Sequence, residues 1–402
     1  PMKLSRSLLE PILLIALVVF IAILLFSSTN LSFSYKESLL ILNEHKTFLS
    51  YFSSFWVELF GTNSISARIP FIFFYALSVI LLYLLTADYF TKETDRFVTT
   101  LIFTMLPGLN SAALIINESI IVTFCILLYL YIYKTTKKQN LYLLVIFLFI
   151  DNSFAILYLA LFFYALYKKE NTLLVVSLVL FGLSMSIFGF DTGGKPKGHF
   201  VNTIAIYASI FSPLLFLYFA YAMYKISFKG TKSLYWFVSI VAFGFSLILS
   251  FRQKIDIADF APFVIIAIPM MVKLFMHSYR VRLRQFRTYH KIGVNIVLIV
   301  LVLNFVILHF NKPLYVFLSN PSKHFAYDYH FADDISKELK QRNINNVFFE
   351  DEKLQLRVQM YGIKKGSEYY ISTKKPKIYD EIIDINVYDR NILKLFVTKL
   401  NN

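Results

Sequence analysis

Residues 141–167 read LYLLVIFLFIDNSFAILYLALFFYALY, an apolar run of 27 residues broken near its middle by Asp151-Asn152-Ser153. A membrane-spanning helix needs about 20 apolar residues, so one helix here is overlong and sets a carboxylate near mid-bilayer. Two short helices meeting at Asp151 would instead return the chain to its starting side, with the polar residues at the turn. Basic residues decide between the two. A returning segment leaves 17 Lys and Arg on one side, including Lys3, Arg6, Lys134, Lys168, Lys225 and Arg280. The other side then holds 7, namely Lys36, Lys46, Arg68, Lys195, Lys197, Arg252 and Lys254. A single crossing gives 11 against 13, and membrane proteins concentrate Lys and Arg in their cytoplasmic loops. The hairpin is the expected form.

The rest of the chain follows from it. Further apolar stretches at about 11–27, 69–87, 97–115, 118–133, 172–190, 203–224, 233–251, 260–276 and 292–310 bring the expectation to about 11 transmembrane helices. Hydrophobic residues make up 57% of 402 and charged ones 16%, against about 25% charged in a soluble domain. A soluble enzyme, a disordered chain and a fibrous repeat are excluded. The net charge of +15 belongs to topology and calls for no nucleic acid. The run Arg280–Lys291 reads as a cytoplasmic contact with anionic membrane lipid. Cys125 is the single cysteine and cannot form an internal disulfide. The first span follows Lys3 and Arg6 with no small-residue cleavage site behind it, so it reads as a retained anchor. Pro1 before Met2 is set aside as an expression scar.

The fold class is therefore an α-helical polytopic membrane protein. A transmembrane domain is expected over 1–318, with an exported loop at 28–67, and a small periplasmic α/β domain over 319–402. The N-terminus is cytoplasmic, and loops 113–117, 191–200 and 252–259 share the exported face with loop 28–67. In the C-terminal domain, Phe331–Arg342 and Glu352–Tyr361 have helical spacing, while 346–349, 368–372, 385–389 and 392–398 read as strands.

Loop 28–67 is the longest of the exported loops between spans. It carries Lys36-Glu37, Glu44-His45-Lys46, an apolar helical face of Phe52, Phe55, Trp56, Leu59 and Phe60, and Arg68-Ile69-Pro70 at its end. The helix either lies in the membrane interface or is a surface linker with solvated charges. Asp151 is either a neighbour of the chemistry or a solvated turn residue. Glu118 sits where it would cap its helix. His45 is either a lone interfacial histidine or a metal ligand. Asp256 and Asp259 read as helix-start residues ahead of Pro262.

The stretch from Glu44 to Phe52, then Leu59-Phe60-Gly61 and Ala67-Arg68-Ile69-Pro70, resembles the first exported loop of the GT-C glycosyltransferases. The nearest groups are the protein O-mannosyltransferases and the lipid A aminoarabinose transferases. Leu106-Pro107-Gly108 with Asn117-Glu118-Ser119, the broken hairpin at Asp151, and Ser250-Phe251-Arg252-Gln253-Lys254 with Ala261-Pro262 extend the resemblance in order. It implies transfer of a sugar from a polyprenyl-phosphate donor to a lipid, glycan or protein acceptor at the exported face of the bacterial inner membrane. The acceptor hydroxyl then needs a base and the departing phosphate needs positive charge. Glu37 or Glu44 takes the place of the base, Glu118 that of a supporting carboxylate, and Arg68, Arg252, Lys254 and Lys46 that of the phosphate site. His45 and Asp151 are neighbours, and a divalent metal ion is an expected cofactor. The sequence departs from the family in four places. Lys36 replaces the leading acid of the pair, and the segment from that pair to Glu44 is shortened. Lys46-Thr47 replaces Pro-Pro, and Asn152-Ser153 replaces Lys-Gly. These changes leave a second reading open: a non-catalytic accessory subunit that serves a membrane or periplasmic partner.

Overall fold

The computed structural model describes residues 9–42, 47–189, 198–388 and 390–400, apart from the Arg284 side chain. Their contacts divide the chain into two compact units, Pro1–Ala22 with Phe71–Phe305, and Ile23–Pro70 with Val306–Asn402. The helices in order are α1 (Leu9–Thr29), α2 (Tyr35–Leu42), α3 (Phe48–Phe60), α4 (Ile69–Leu85), α5 (Glu93–Met105), α6 (Pro107–Leu114) and α7 (Ser119–Thr136). Then come α8 (Leu141–Phe147), α9 (Phe154–Lys168), α10 (Asn171–Phe188), α11 (Phe200–Phe211), α12 (Pro213–Lys229) and α13 (Leu234–Ser250). The last six are α14 (Ala261–Val264), α15 (Ile268–Val281), α16 (Arg284–His309), α17 (Leu314–Phe317), α18 (Ala332–Gln341) and α19 (Glu352–Gln359).

The first unit is a helical bundle. Among the described residues six helical segments are long and apolar enough to cross a membrane, or eight if each of two bent pairs is one span. The shorter apolar helices α9 and α13 lie beside them. Both bends occur at proline. A proline has no N–H and drives the residue before it out of helical geometry. Leu106, ahead of Pro107, is extended (φ −57°, ψ 124°), and α5 and α6 meet at 51°. Ser212, ahead of Pro213, has φ +81°, and α11 and α12 turn by 106°. Asn304 Nδ2 donates to Ser212 Oγ at 3.0 Å and holds that turn. Gly108 allows α6 to approach α11: a Cβ there would stand 2.4 Å from Ile210 Cγ2.

The 141–167 run is broken, as its sequence suggests. Helix α8 ends at Phe147 and α9 begins at Phe154. Tyr158 Oη donates to the Leu144 carbonyl at 2.8 Å, and the Phe147 and Phe154 rings stack at 4.5 Å. Fourteen residues of continuous helix would put positions 144 and 158 about 21 Å apart, so the chain doubles back at Asp151.

The second unit joins loop 23–70 to the C-terminal residues. Strands β1 (Asn346–Phe349), β2 (Lys364–Lys365), β3 (Tyr369–Ser372), β4 (Glu381–Val387) and β5 (Arg390–Lys399) form one sheet in the order β2-β1-β3-β5-β4. Helices α18 and α19 bury Ile335, Leu339 and Val358 against Val347, Ile371 and Leu395. Strand β4 starts earlier than its sequence suggests, with Ile383 and Ile385 inward and Ile382 outward. The two-lysine strand β2 carries no apolar signal and is held by parallel backbone pairing to β1. Loop residues 32–33 are fixed by the C-terminal part. Arg357 Nε donates to the Phe33 carbonyl at 2.9 Å, and the Ser32 N–H donates to the Tyr329 carbonyl at 2.7 Å.

Helix α3 begins at Thr47, whose Oγ1 accepts the Ser50 N–H at 3.2 Å, and ends at Gly61 with φ +87°. Leu49, Ser50, Ser53 and Val57 are buried. Of the aromatic face expected from spacing, Phe55, Leu59 and Phe60 are exposed. Phe52 and Trp56 are half-buried, and Trp56 Nε1 donates to the Ser66 carbonyl.

Candidate functional site

In the first unit, loop 115–118, the hairpin turn and the segment after α13 meet around Glu118. Ser119 Oγ at the start of α7 donates to the Ala258 carbonyl at 2.9 Å, which docks segment 256–259 beside it. Asp256 starts the short 3-10 turn Ile257–Asp259, its Oδ1 accepting the Ala258 N–H at 3.0 Å. Asp151 Oδ1 accepts the Ser153 N–H at 2.9 Å and so fixes the hairpin turn. Glu118 is half-buried. Burial first, then the negative charge of Asp151, then that of Asp256, push its carboxyl up to about 7. At neutral pH that carboxyl divides between base and acid forms, as proton transfer in a reaction requires.

Glu118 occupies the N-cap position of α7 but makes no capping bond with its side chain. Asn117 Oδ1 accepts the Ser119 N–H at 3.1 Å instead, so Glu118 stands at the helix start, as expected, without a capping hydrogen bond from its carboxylate. Asp256 belongs to this group as well as starting its turn. Its sequence neighbourhood carries no sign of that, because the link runs through the Ser119–Ala258 contact.

The segment that brings Asp256 to Glu118 also carries Arg252 and Lys254, both exposed and outside the ion pairs found among the described residues. The His199 N–H donates to the Ser250 carbonyl at 2.8 Å, and Phe200 stacks on Phe251 at 4.8 Å. Another loop therefore ends beside these cations. Its residues Lys195 and Lys197 lie outside the described residues.

The second unit brings together Glu37 and Arg68. Arg68 is fully buried and Glu37 nearly so, with 3.4 Å between Nη2 and Oε2. Arg68 also donates to the carbonyls of Ser64 at 2.9 Å and Ser32 at 3.2 Å. Glu37 Oε2 accepts the Ser34 N–H at 2.8 Å. Lys36, one residue away, is exposed. Glu44, His45 and Lys46 lie outside the described residues. Among the described residues no three His, Cys, Asp or Glu side chains are placed to hold a metal ion.

Residues 44–190 match the family model of dolichyl-phosphate-mannose-protein mannosyltransferases, a span that includes Glu118 and Asp151. Among solved structures the chain is similar to ArnT from Cupriavidus metallidurans in the apo state, with a TM-score of 0.52 and 11% identity over 96% of this chain and 98% of that one. No curated protein matches the sequence. At that identity it is the fold that is shared. Over residues 44–190 the chain is similar to that mannosyltransferase family, and its apolar helices on the fold it shares with ArnT are those of a multi-pass membrane protein.

Proposed function

We propose that the chain transfers a sugar from a polyprenyl-phosphate-linked donor to an envelope acceptor at the exported face of the bacterial inner membrane. The acceptor is lipid A or lipopolysaccharide, a glycan, or an exported protein. The observation that carries this reading is the Glu118 carboxyl, set near neutrality beside a segment bearing two exposed cations, Arg252 and Lys254. In the reaction the acceptor hydroxyl gives its proton to the Glu118 carboxylate as its oxygen bonds to the anomeric carbon. The bond from that carbon to the phosphate oxygen breaks, and the polyprenyl phosphate leaves with the bonding electrons. Arg252 and Lys254 hold that phosphate and offset the charge it gains. Attack opposite the leaving group inverts the anomeric carbon.

Asp151 and Asp256 act on Glu118 by raising its basicity. Glu37 and Arg68 shape the loop and serve as positioning residues. If the reaction uses a divalent cation, its ligands include the substrate phosphate or residues such as Glu44 and His45. The experiment is transfer by the purified full chain in detergent, supplied with polyprenyl-phosphate sugars and lipopolysaccharide, with release of polyprenyl phosphate as the readout. Release that depends on the acceptor supports the transferase. Release only when a second membrane protein is added supports the accessory reading, for which Lys36 in the place of the leading acid is the favouring observation.

A further inference from the structure

A second feature of the helical unit lies away from Glu118. Helices α5, α12, α15 and α16 enclose a groove of about 440 Å³, walled by apolar side chains such as Val98, Leu217, Met271 and Val297. At one end it shares Tyr218, Tyr221, Phe275 and His290 with a second cavity of about 290 Å³, where Lys225 and Arg282 enter the lining. No carboxylate lines either space. Asp95, the nearest acid on α5, is taken by an ion pair with Arg280. Lys225 and Arg282 are in none of the ion pairs among the described residues.

The groove has a depth and a direction. Its charged mouth is at the C-terminal end of α15, while the Asp256 segment leads into the N-terminal end of the same helical run, Ile257–Val281. Those 25 residues span about 37 Å at helical rise, more than the roughly 30 Å of a bilayer's hydrocarbon core. The mouth and the Glu118 group are therefore at opposite membrane faces.

Gly293 keeps the groove open. It lines the apolar part within α16, and a Cβ built on it meets nothing within 4 Å. Glycine inside a helix is unfavourable relative to alanine, so its presence here reflects the space it leaves.

We propose that this groove binds one anionic glycerophospholipid, with an acyl chain along the apolar wall past Gly293 and the phosphate between Lys225 and Arg282. Apolar length, a cationic mouth and the lack of any lining acid complement such a lipid. A zwitterionic headgroup would bring an ammonium against two cations. The site is independent of the transfer reaction and survives if that reading fails.

Native mass spectrometry of the full chain in detergent tests it, with dioleoyl phosphatidylglycerol and dioleoyl phosphatidylcholine as probes. The wild type is expected to hold phosphatidylglycerol about 10- to 30-fold more tightly, as two surface cations provide. Gly293→Leu should abolish retention of both lipids, because it fills the groove without a backbone clash. Lys225→Gln with Arg282→Gln should abolish the preference and keep the weaker binding. Equal affinity for the two lipids, or unchanged binding by Gly293→Leu, would overturn the proposal. So would complete displacement of phosphatidylglycerol by inorganic phosphate, since that makes the mouth alone the site.

Discussion

Arg68 Nη2 lies 3.4 Å from Glu37 Oε2 with both side chains buried, so two residues that the sequence offers for separate tasks, base and phosphate holder, are committed to each other. Removing one partner takes the opposite charge at this contact from the other, and breaking a buried pair costs about 3–5 kcal/mol. Glu37→Gln and Arg68→Met are each expected to lower the unfolding temperature of the detergent-solubilised chain. The double variant should lose less than the sum of the two, because both single variants break the same ion pair. Additive losses in the double-mutant cycle would show the pair to be uncoupled.

Glu118 gives a pH dependence of definite sign. Its carboxyl sits at about 7 in the folded chain, raised by burial, Asp151 and Asp256, against about 4.3 when unperturbed. The folded chain therefore binds more protons than the unfolded chain between those values. Stability falls as pH rises through that window, and the base form needed for transfer grows over the same range. Transfer rate should climb through an inflection near pH 7, and Asp151→Asn should move the inflection to lower pH. A profile flat from pH 5 to 8 argues that another group takes the proton.

Arg252 and Lys254 are expected to act on the donor. Each charge-assisted hydrogen bond to a phosphate contributes about 1.5–3 kcal/mol, so Arg252→Gln and Lys254→Gln should each reduce kcat/KM roughly 10- to 100-fold. The unfolding temperature should barely change, since both side chains are exposed. Unchanged kcat/KM with varied polyprenyl-phosphate donor would remove them from the phosphate site.

Gly108 tests the fold itself. A Cβ there meets Ile210 side-chain atoms at 2.4 and 3.0 Å and its Cα at 3.2 Å, so Gly108→Ala should cost about 1–3 kcal/mol from overpacking. Gly108→Ala combined with Ile210→Ala should regain part of it. Thermal unfolding of the two variants side by side decides the matter.

Much of this was legible in the sequence because lipid imposes simple rules. The break at Asp151 followed from counting Lys and Arg, and Tyr158 reaching back to Leu144 is its structural counterpart. Strand β1 was legible from its apolar residues, and the helix after Phe331 from the spacing of Ile335 and Leu339. Strand β2 was not, because Lys364 and Lys365 carry no apolar signal and enter the sheet by backbone pairing to β1. At the candidate site, Asp151 could be named because a carboxylate in the middle of an apolar run is costly, and Glu118 because Asn117-Glu118-Ser119 resembles the second exported loop of the GT-C glycosyltransferases. Asp256 joins them through a contact between Ser119 and Ala258, 139 positions apart in the chain, which no local pattern encodes. The Glu37–Arg68 pair was hidden for the same reason: each residue looked free until the fold supplied its partner.

The most direct measurement is mass spectrometry of lipid A, core glycan and exported glycoproteins from cells that lack this chain, complemented with wild type or with Glu118→Gln at matched membrane levels. If Glu118 takes the acceptor's proton, one sugar-sized mass increment disappears without the chain, returns with the wild type and stays absent with Glu118→Gln. Full return of that increment with Glu118→Gln would contradict the assignment, and unaltered envelope glycans in cells lacking the chain would contradict the transferase itself.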